Sequence, residues 1–424
     1  MKSVCLISPS SPFLIDDKVF PPLGLLYVGK ELKNRGYDVK VHDGATKEIP
    51  SGYDIYGVSI TTPQFPQSVE ILRHIRQNEP KSKVVVGGPH ATVDPDSCLN
   101  AGFDSVVMQA GEASLPLVAE HGCRVIDTPF FGDIHPDRSL IDIKSYKYEI
   151  DGRPATSVMT TRGCPYQCGF CCKINKKVKV YSADFVLDEL KELKDKYGYK
   201  AFMFFDDIFI VDRNRLYVIL DEIKKWDVIW RGFVRADIVV KNGPEVAKRM
   251  FDSGCREVGM GIESGSDKIL TTINKGENTE TLKKGIEILR NAGIRVKGFL
   301  IVGLPGESLE TIAATQHFLR TSGLNDMDFS LFTPYKKTNI YDNKDKFDIH
   351  WDQLDLNHLF YKGTPGQYES QVWTSSLSRE DLVAARDLLE REFKHWGKND
   401  KDSGSRRNGH GSPCNRAGST QAVA

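Results

Sequence analysis

Apolar residues recur along this chain in two alternating rhythms. Short apolar-rich runs at 4–7, 39–42, 55–60, 84–86 and 104–107 read as strands; 4–7 and 84–86 are apolar throughout, 39–42 and 104–107 only half so. Between them the spacing becomes helical. Over 22–34, Leu23, Leu26, Tyr27, Val28 and Leu32 share a face, and Gly36 stops the helix. Residues 68–77 and 113–120 repeat that period. Strand–helix alternation of this kind predicts an α/β, doubly wound (Rossmann-like) parallel sheet over residues 1–122.

Residues 123–156 carry scattered Pro and Gly and no sustained period, which suits a packed linker. A second series then begins. Strands are expected at 157–161, 201–205, 229–234, 257–262, 296–302 and 328–332. Helices are expected at 183–196, 213–225, 244–253, 279–291 and 309–322. Six βα units over 157–340 predict a partial (β/α)6 TIM-type barrel, a fold that keeps its chemistry at the C-terminal ends of the strands. Residues 341–396 form a helical and irregular segment ending in an amphipathic helix within 374–396. From 397 to 424 almost no large apolar residue remains, and this tail is expected to be disordered.

Charge narrows the function little: Lys+Arg and Asp+Glu both number 57, so general nucleic-acid binding is not expected. No apolar run reaches the roughly 20 residues of a membrane helix, and the opening residues read as a strand and not a signal peptide. Cysteine changes the picture more. Of nine, four crowd at Cys164, Cys168, Cys171 and Cys172. One tight cluster in a large chain points to a metal site in a reducing, cytoplasmic compartment, not to a disulfide framework.

The cluster reads Gly163-Cys164-Pro165-Tyr166-Gln167-Cys168-Gly169-Phe170-Cys171-Cys172 and directly follows the first barrel strand. Thiolates favour iron–sulfur clusters or zinc, and zinc usually takes paired knuckles, of which no second is present. Three thiolates on a cubane leave one iron open to another ligand. The Cys-x-x-x-Cys-x-aromatic-Cys spacing after a barrel strand resembles the radical S-adenosylmethionine (radical SAM) superfamily. The resemblance implies a 4Fe-4S cluster on Cys164, Cys168 and Cys171 that reductively cleaves S-adenosylmethionine to a 5′-deoxyadenosyl radical, with Phe170 against the cofactor. Cys172 is not expected to be a ligand.

Later strand ends extend the resemblance. Asp206 and Asp207 can accept hydrogen bonds from the methionyl ammonium, or cap a helix. Arg235 can pair with the methionyl carboxylate, or with Asp237. Glu263, in Gly259-Met260-Gly261-Ile262-Glu263-Ser264-Gly265, can take both ribose hydroxyls. That run and the following Asn274-Lys275-Gly276 match the family pattern, as does Gly303-Leu304-Pro305-Gly306-Glu307, whose strand can flank the adenine. The family therefore assigns Ser264, Gly303, Leu304 and Pro305 to S-adenosylmethionine as well. Many relatives carry Pro-Gly where this chain has Lys336-Lys337, which can alter substrate choice or simply be solvated.

A doubly wound domain ahead of such a barrel resembles the cobalamin-binding radical SAM enzymes. Ser59, Thr61 and Thr62 offer hydroxyls at one strand end. Gly87 and Gly88, followed by Pro89 and His90, let backbone approach a large ligand at another. Glu112 lies in the matching Ala110-Gly111-Glu112. The Asp-x-His-x-x-Gly motif that gives cobalt a histidine is absent, so neither His90 nor His42 is expected to ligate cobalt. The resemblance implies a methyltransferase using methylcobalamin on an unactivated carbon of an organic substrate. An electron donor such as flavodoxin or ferredoxin would serve it. A non-methylating radical reaction with a vestigial first domain, or a non-catalytic sensor, remain the alternatives.

Overall fold

The computed structural model describes residues 2–394 except 13, 15, 45, 130–131, 173–176 and 356–367. The expected polar tail therefore lies outside the described residues. In the first domain β1 (Ser3–Ser8), α1 (Leu23–Asn34), β2 (Asp38–Asp43), β3 (Ile55–Ser59) and α2 (Phe65–Asn78) come first. There follow β4 (Lys83–Gly87), α3 (Pro89–Val93), α4 (Pro95–Asn100), β5 (Ser105–Gln109), α5 (Gly111–His121) and β6 (Val125–Thr128). The strands are parallel and ordered β2-β1-β3-β4-β5-β6. Leu6, Leu26, Val28, Val85 and Leu115 pack one face, while Ile7, Ile71, Ile75, Val86 and Phe103 pack the other. Two covered faces are why β1, β3 and β4 read as nearly unbroken apolar runs, whereas in the edge strand β2 only Val41 is buried. The order reverses between β1 and β3, the switch point at which such sheets bind ligands.

The linker expected over 123–156 is more structured than its composition suggests. β6 extends the first sheet, and β7 (Glu149–Ile150) turns antiparallel into β8 (Arg153–Val158), so the first barrel strand begins before 157. Arg138 in this segment is buried and donates to Glu189 at 2.6 Å and to the Ser157 carbonyl at 2.7 Å.

Next come β9 (Thr161–Arg162), β10 (Lys179–Val180), α6 (Ala183–Asp195), β11 (Ala201–Phe204), α7 (Arg213–Ile223), β12 (Ile229–Val234) and α8 (Ala236–Asp252). They are followed by β13 (Cys255–Glu263), α9 (Asp267–Thr272), α10 (Thr279–Asn291), β14 (Arg295–Val302), α11 (Leu309–Ser322) and β15 (Asp326–Leu331). Two more helices, α12 (Asn339–Asp342) and α13 (Arg379–Phe393), complete the described chain. Six parallel strands lie in the order β15-β14-β13-β12-β11-β8, with β7 beyond, and the row does not close. α8 is two helical pieces joined at Gly243, whose φ of 72° breaks the helix just before Pro244; the expected helix is the second piece. Helix starts follow side-chain caps: Asn278 accepts from the Thr281 amide, Ser308 from Thr311 and Ser378 from Asp381.

Inside the barrel the side chains form layers. Near the strand starts Arg231 pairs with Glu257 at 3.0 Å, and Lys297 reaches Asp328 at 3.1 Å. Above them Phe205, Phe233 and Phe299 form an aromatic tier, with ring centroids 6.4 Å and 5.9 Å apart. Gly259 leaves room for it: a Cβ there would meet both Phe233 and Phe299 at 2.7 Å. Phe20 of the first domain joins the tier through Phe205, 4.7 Å away.

Candidate active site

The cysteine loop leaves the C-terminal end of β8, and the strand ends around it hold it in place. Asp206 is buried and accepts from the Thr160 amide and hydroxyl, both at 2.5 Å, and from the Thr161 amide at 3.0 Å. Burial pushes its carboxyl up to about 7, against those hydrogen bonds and the charge of Arg215, which pull it down. Asp207 accepts from the Gly163 amide at 2.7 Å, and Gly163 takes φ 88°, a conformation suited to glycine. Both aspartates therefore brace the loop. Asp206 is committed to Thr160 and Thr161 from a buried position, a bracing role beside the expected one.

The segment after α9 braces the other side. The Gly169 amide donates to the Ile273 carbonyl at 2.7 Å, and Asn274 donates to the Gln167 carbonyl at 2.9 Å. A Cβ on Gly169 would stand 3.3 Å from that Ile273 oxygen. Phe170 packs partly buried against the barrel core. Cys164, Cys168 and Cys172 are half-buried and Cys171 is exposed.

The thiols share one electrostatic environment. The protein mass around Cys171, then the neighbouring Cys168, Cys164 and Cys172, push its pKa up to about 12. Surface area leaves this thiol open while that mass crowds it, as expected at the floor of a cleft. Among the described residues no three His, Cys, Asp or Glu side chains are gathered tightly enough for a single metal ion. A cubane spreads its thiolates over several irons, so three soft donors on one loop fit it better than one ion. Iron would also supply positive charge to offset the burial that raises Cys168 and Cys171.

Beside the loop runs a chain of charges. Lys275 Nζ donates to Glu263 at 2.9 Å and lies 3.5 Å from Glu277. Arg235 reaches Glu277 at 3.2 Å and Asp237 at 3.1 Å, donates to the Lys275 carbonyl at 3.0 Å, and stacks 3.7 Å over Tyr166. Its guanidinium points at Cys168 Sγ from 3.9 Å. Burial pulls Lys275 down, but Glu263 and Glu277 more than offset it and leave it raised. Glu263 sits at φ 62° where the β13–β14 register shifts, an unusual conformation for Glu and one that clusters at functional sites. A Cβ on Gly261 would meet the Glu263 carboxylate and stand 2.9 Å from Lys275 Nζ, so this glycine makes the pair possible.

Other expected residues lie nearby in different roles. The Ser264 hydroxyl is buried 3.3 Å from Thr315. Gly303 turns at φ 89° and donates its amide to Glu307, whose carboxyl burial raises to about 7. Leu304 and Pro305 are buried just after β14. Lys275, Glu277 and Tyr166 were missed as site residues. Lys275 lay inside a motif quoted for its pattern alone.

In the first domain Ser59 is half-buried and Thr61 exposed at the switch-point edge, beside half-buried Gly87 and exposed Pro89. That open, hydroxyl-bearing edge fits a large ligand. Contacts within the domain add to three of these expectations. A Cβ on Gly88, at φ 92°, would stand 2.8 Å from the Ile60 amide and carbonyl, so this glycine serves strand contact. His90 is buried, its ring nitrogens 3.1 Å from Thr62 and 3.1 Å from Ser97, so both nitrogens are engaged within the domain, while Thr62 and His90 also line a cleft shared with Asp94, Tyr335 and Lys336. Burial lowers the His90 pKa to about 4. Glu112 is paired with Arg162 of the barrel. Lys336 and Lys337 are not simply solvated: they reach Asp94 at 2.7 Å and the Thr92 carbonyl at 2.6 Å.

A partial barrel with a thiol loop and a charged cradle at its strand ends, behind a switch-point ligand domain, defines a cluster-dependent barrel enzyme with a second cofactor domain. The comparisons make the family specific. Residues 158–319 match the radical SAM superfamily and residues 17–119 the B12 binding domain, and the chain belongs to the radical SAM superfamily with a B12-binding domain ahead of its barrel. It is 29% identical over 361 residues to an uncharacterized methyltransferase, PH0819, of Pyrococcus horikoshii, covering 76% of this chain and 78% of that one. It is 27% identical to the bacteriochlorophyllide d C-8(2)-methyltransferase of Chlorobaculum tepidum, covering 73% of each. The fold matches the radical S-adenosylmethionine methyltransferase TsrM from Kitasatospora setae, solved with cobalamin and a [4Fe-4S] cluster. The TM-score is 0.65 at 17% identity, over 80% of this chain and 74% of that one. No described helix is long and apolar enough to cross a membrane.

Proposed function

We propose that this chain methylates an unactivated carbon of an organic substrate as a cobalamin-dependent radical SAM methyltransferase. The observation that carries the reading is the pairing of Glu112, at the ligand edge of the B12-type domain, with Arg162, two residues before Cys164. It brings the two cofactor edges together on one cleft. When bound, the 4Fe-4S cluster supplies the electron that cleaves S-adenosylmethionine to a 5′-deoxyadenosyl radical, and cobalamin supplies the methyl group.

The chain's own residues bind, orient and exclude water. Cys164, Cys168 and Cys171 hold iron, while Asp206 and Asp207 keep their loop on the strand ends. Glu263, held by Lys275, would accept from the ribose hydroxyls of S-adenosylmethionine, and Arg235 would balance negative charge beside Cys168. The half-exposed Phe205, Phe233 and Phe299 floor the chamber and keep water from the radical. A low-potential donor such as flavodoxin or ferredoxin feeds the cluster in the cytoplasm.

The test is product analysis on anaerobic, reconstituted, cobalamin-loaded protein with reductant, S-adenosylmethionine and candidate acceptors. Methyl transfer yields S-adenosylhomocysteine as well as 5′-deoxyadenosine. Substrate-dependent deoxyadenosine with no S-adenosylhomocysteine would establish a non-methylating radical outcome instead.

A further inference from the structure

The barrel is open, and β8 and β15 stand at opposite ends of its parallel row. The first domain grips the chain just after both. Behind β8, Arg162 pairs with Glu112 of α5, their side chains only 12% and 7% exposed. The same guanidinium lies 4.3 Å over the Tyr27 ring of α1. Arg162 Nε and the Tyr27 hydroxyl are buried without a hydrogen-bond partner. Carboxylate and ring face, both from the first domain, therefore hold this guanidinium. Behind β15, Lys336 pairs with Asp94 at 2.7 Å. Lys337, at φ 62°, donates to the Thr92 carbonyl at 2.6 Å.

We propose that these two charged tethers make the first domain the closing wall of the open barrel, with Arg162 and Glu112 as positioning residues for the cysteine loop. Only Gly163 separates Arg162 from Cys164, and its amide is anchored to Asp207 at 2.7 Å. Arg162 and the Asp207 anchor thus hold the loop from either side of the first thiol, and a displaced Arg162 leaves that thiol held through Gly163 alone. Removing the Glu112 charge would leave a buried cation without its counter-ion, which strongly drives rearrangement. The inference uses only the assignment of the cysteines as cluster ligands and holds whatever the fate of the methyl group.

Hydrogen–deuterium exchange on the full chain before iron loading tests it, independently of turnover. Glu112→Gln should raise exchange about tenfold in peptides spanning 158–172, and Lys336→Gln should do so in peptides spanning 333–341. Peptides covering β4 should stay protected in both. Glu112→Asp should move exchange back toward wild type. After reconstitution, the electron paramagnetic resonance signal of the reduced cluster should change shape in Glu112→Gln and recover in Glu112→Asp. Should Glu112→Gln expose β4 as well, Arg162→Lys, which keeps the charge but loses the planar stack, replaces it with the same expectation for 158–172. Unchanged exchange at both tether segments, or an unchanged cluster signal once the loop exchanges freely, would overturn the proposal.

Discussion

At the residue scale, several side chains sit in conformations or charge states that only their neighbours explain. Glu263 keeps φ 62° because the β13–β14 irregularity and Lys275 hold it there. Glu263→Gln preserves shape and leaves Lys275 beside Glu277, but it loses the charge that strengthens hydrogen bonds to hydroxyls. Such bonds contribute about 1.5–3 kcal/mol, so S-adenosylmethionine should bind at least about tenfold more weakly with iron content unchanged. Gly261→Ala should weaken it similarly by displacing the carboxylate. Equilibrium binding to the reconstituted protein checks both, and unchanged affinity would make the pair structural. His90 gives a pH prediction. Its folded pKa of about 4 lies below the ordinary histidine value of about 6.5, so below about pH 6.5 the unfolded chain takes the proton first. Stability should fall from pH 6.5 to 4, by about 3 kcal/mol at most at 1.36 kcal/mol per unit. Asp206 and Glu307, raised to about 7, act oppositely: they favour the fold at low pH and lose that contribution as pH rises through 7. His90→Gln should flatten the acid side of the profile in urea unfolding. Equal slopes in both proteins would show that His90 is protonated within the fold.

At the scale of elements, the strand–helix rhythm was legible because both faces of these sheets are covered. Leu282, Ile286 and Leu289 of α10 are all fully buried, as their spacing suggested. Legibility failed where local chemistry competes with periodicity. β6 was hidden because only Val125 and Ile126 are apolar in it and Val125 is exposed. α3 was hidden because it is five residues long behind Gly88. The cysteine loop was legible as chemistry, but its supports were not. Asp206 read equally well as a ligand or a cap, and became a brace because Thr160 and Thr161 fold back onto it. Nothing local to Gly88 showed that Ile60 fills its Cβ position. Replacing Cys164, Cys168 or Cys171 by Ala should take iron from about four per chain to near zero, since a cubane needs each of three thiolates. Cys172→Ser should keep iron and deoxyadenosine formation. Iron and sulfide analysis beside absorbance decides this; loss of iron in the Cys172 variant would move the ligand set by one residue.

At the scale of the whole molecule, each domain brings one edge to a shared cleft, and the contacts between them are charged and specific. Lys336, Lys337 and Arg162 all reach across it. This geometry bears on how cobalt is held. The B12-type domain presents His90 at the expected turn, yet both ring nitrogens are engaged, by Thr62 and Ser97, and burial holds the ring neutral. Turning that ring outward would break its contacts with Thr62 and Ser97 and its packing on the Phe65 ring, 4.6 Å away. A buried polar group left without a partner costs roughly 1–3 kcal/mol, so His90 stays inside. The lower face of cobalt should therefore receive no nitrogen from His90. Ordinary cobalamin leaves this ambiguous, because its own nucleotide base can supply an axial nitrogen. Cobinamide lacks that base. The electron paramagnetic resonance spectrum of cobalt(II) cobinamide bound to wild-type protein should show no nitrogen splitting, and His90→Gln should leave the spectrum unchanged. Splitting that disappears in His90→Gln would mean that corrinoid binding breaks the Thr62 and Ser97 contacts and turns the ring onto the metal.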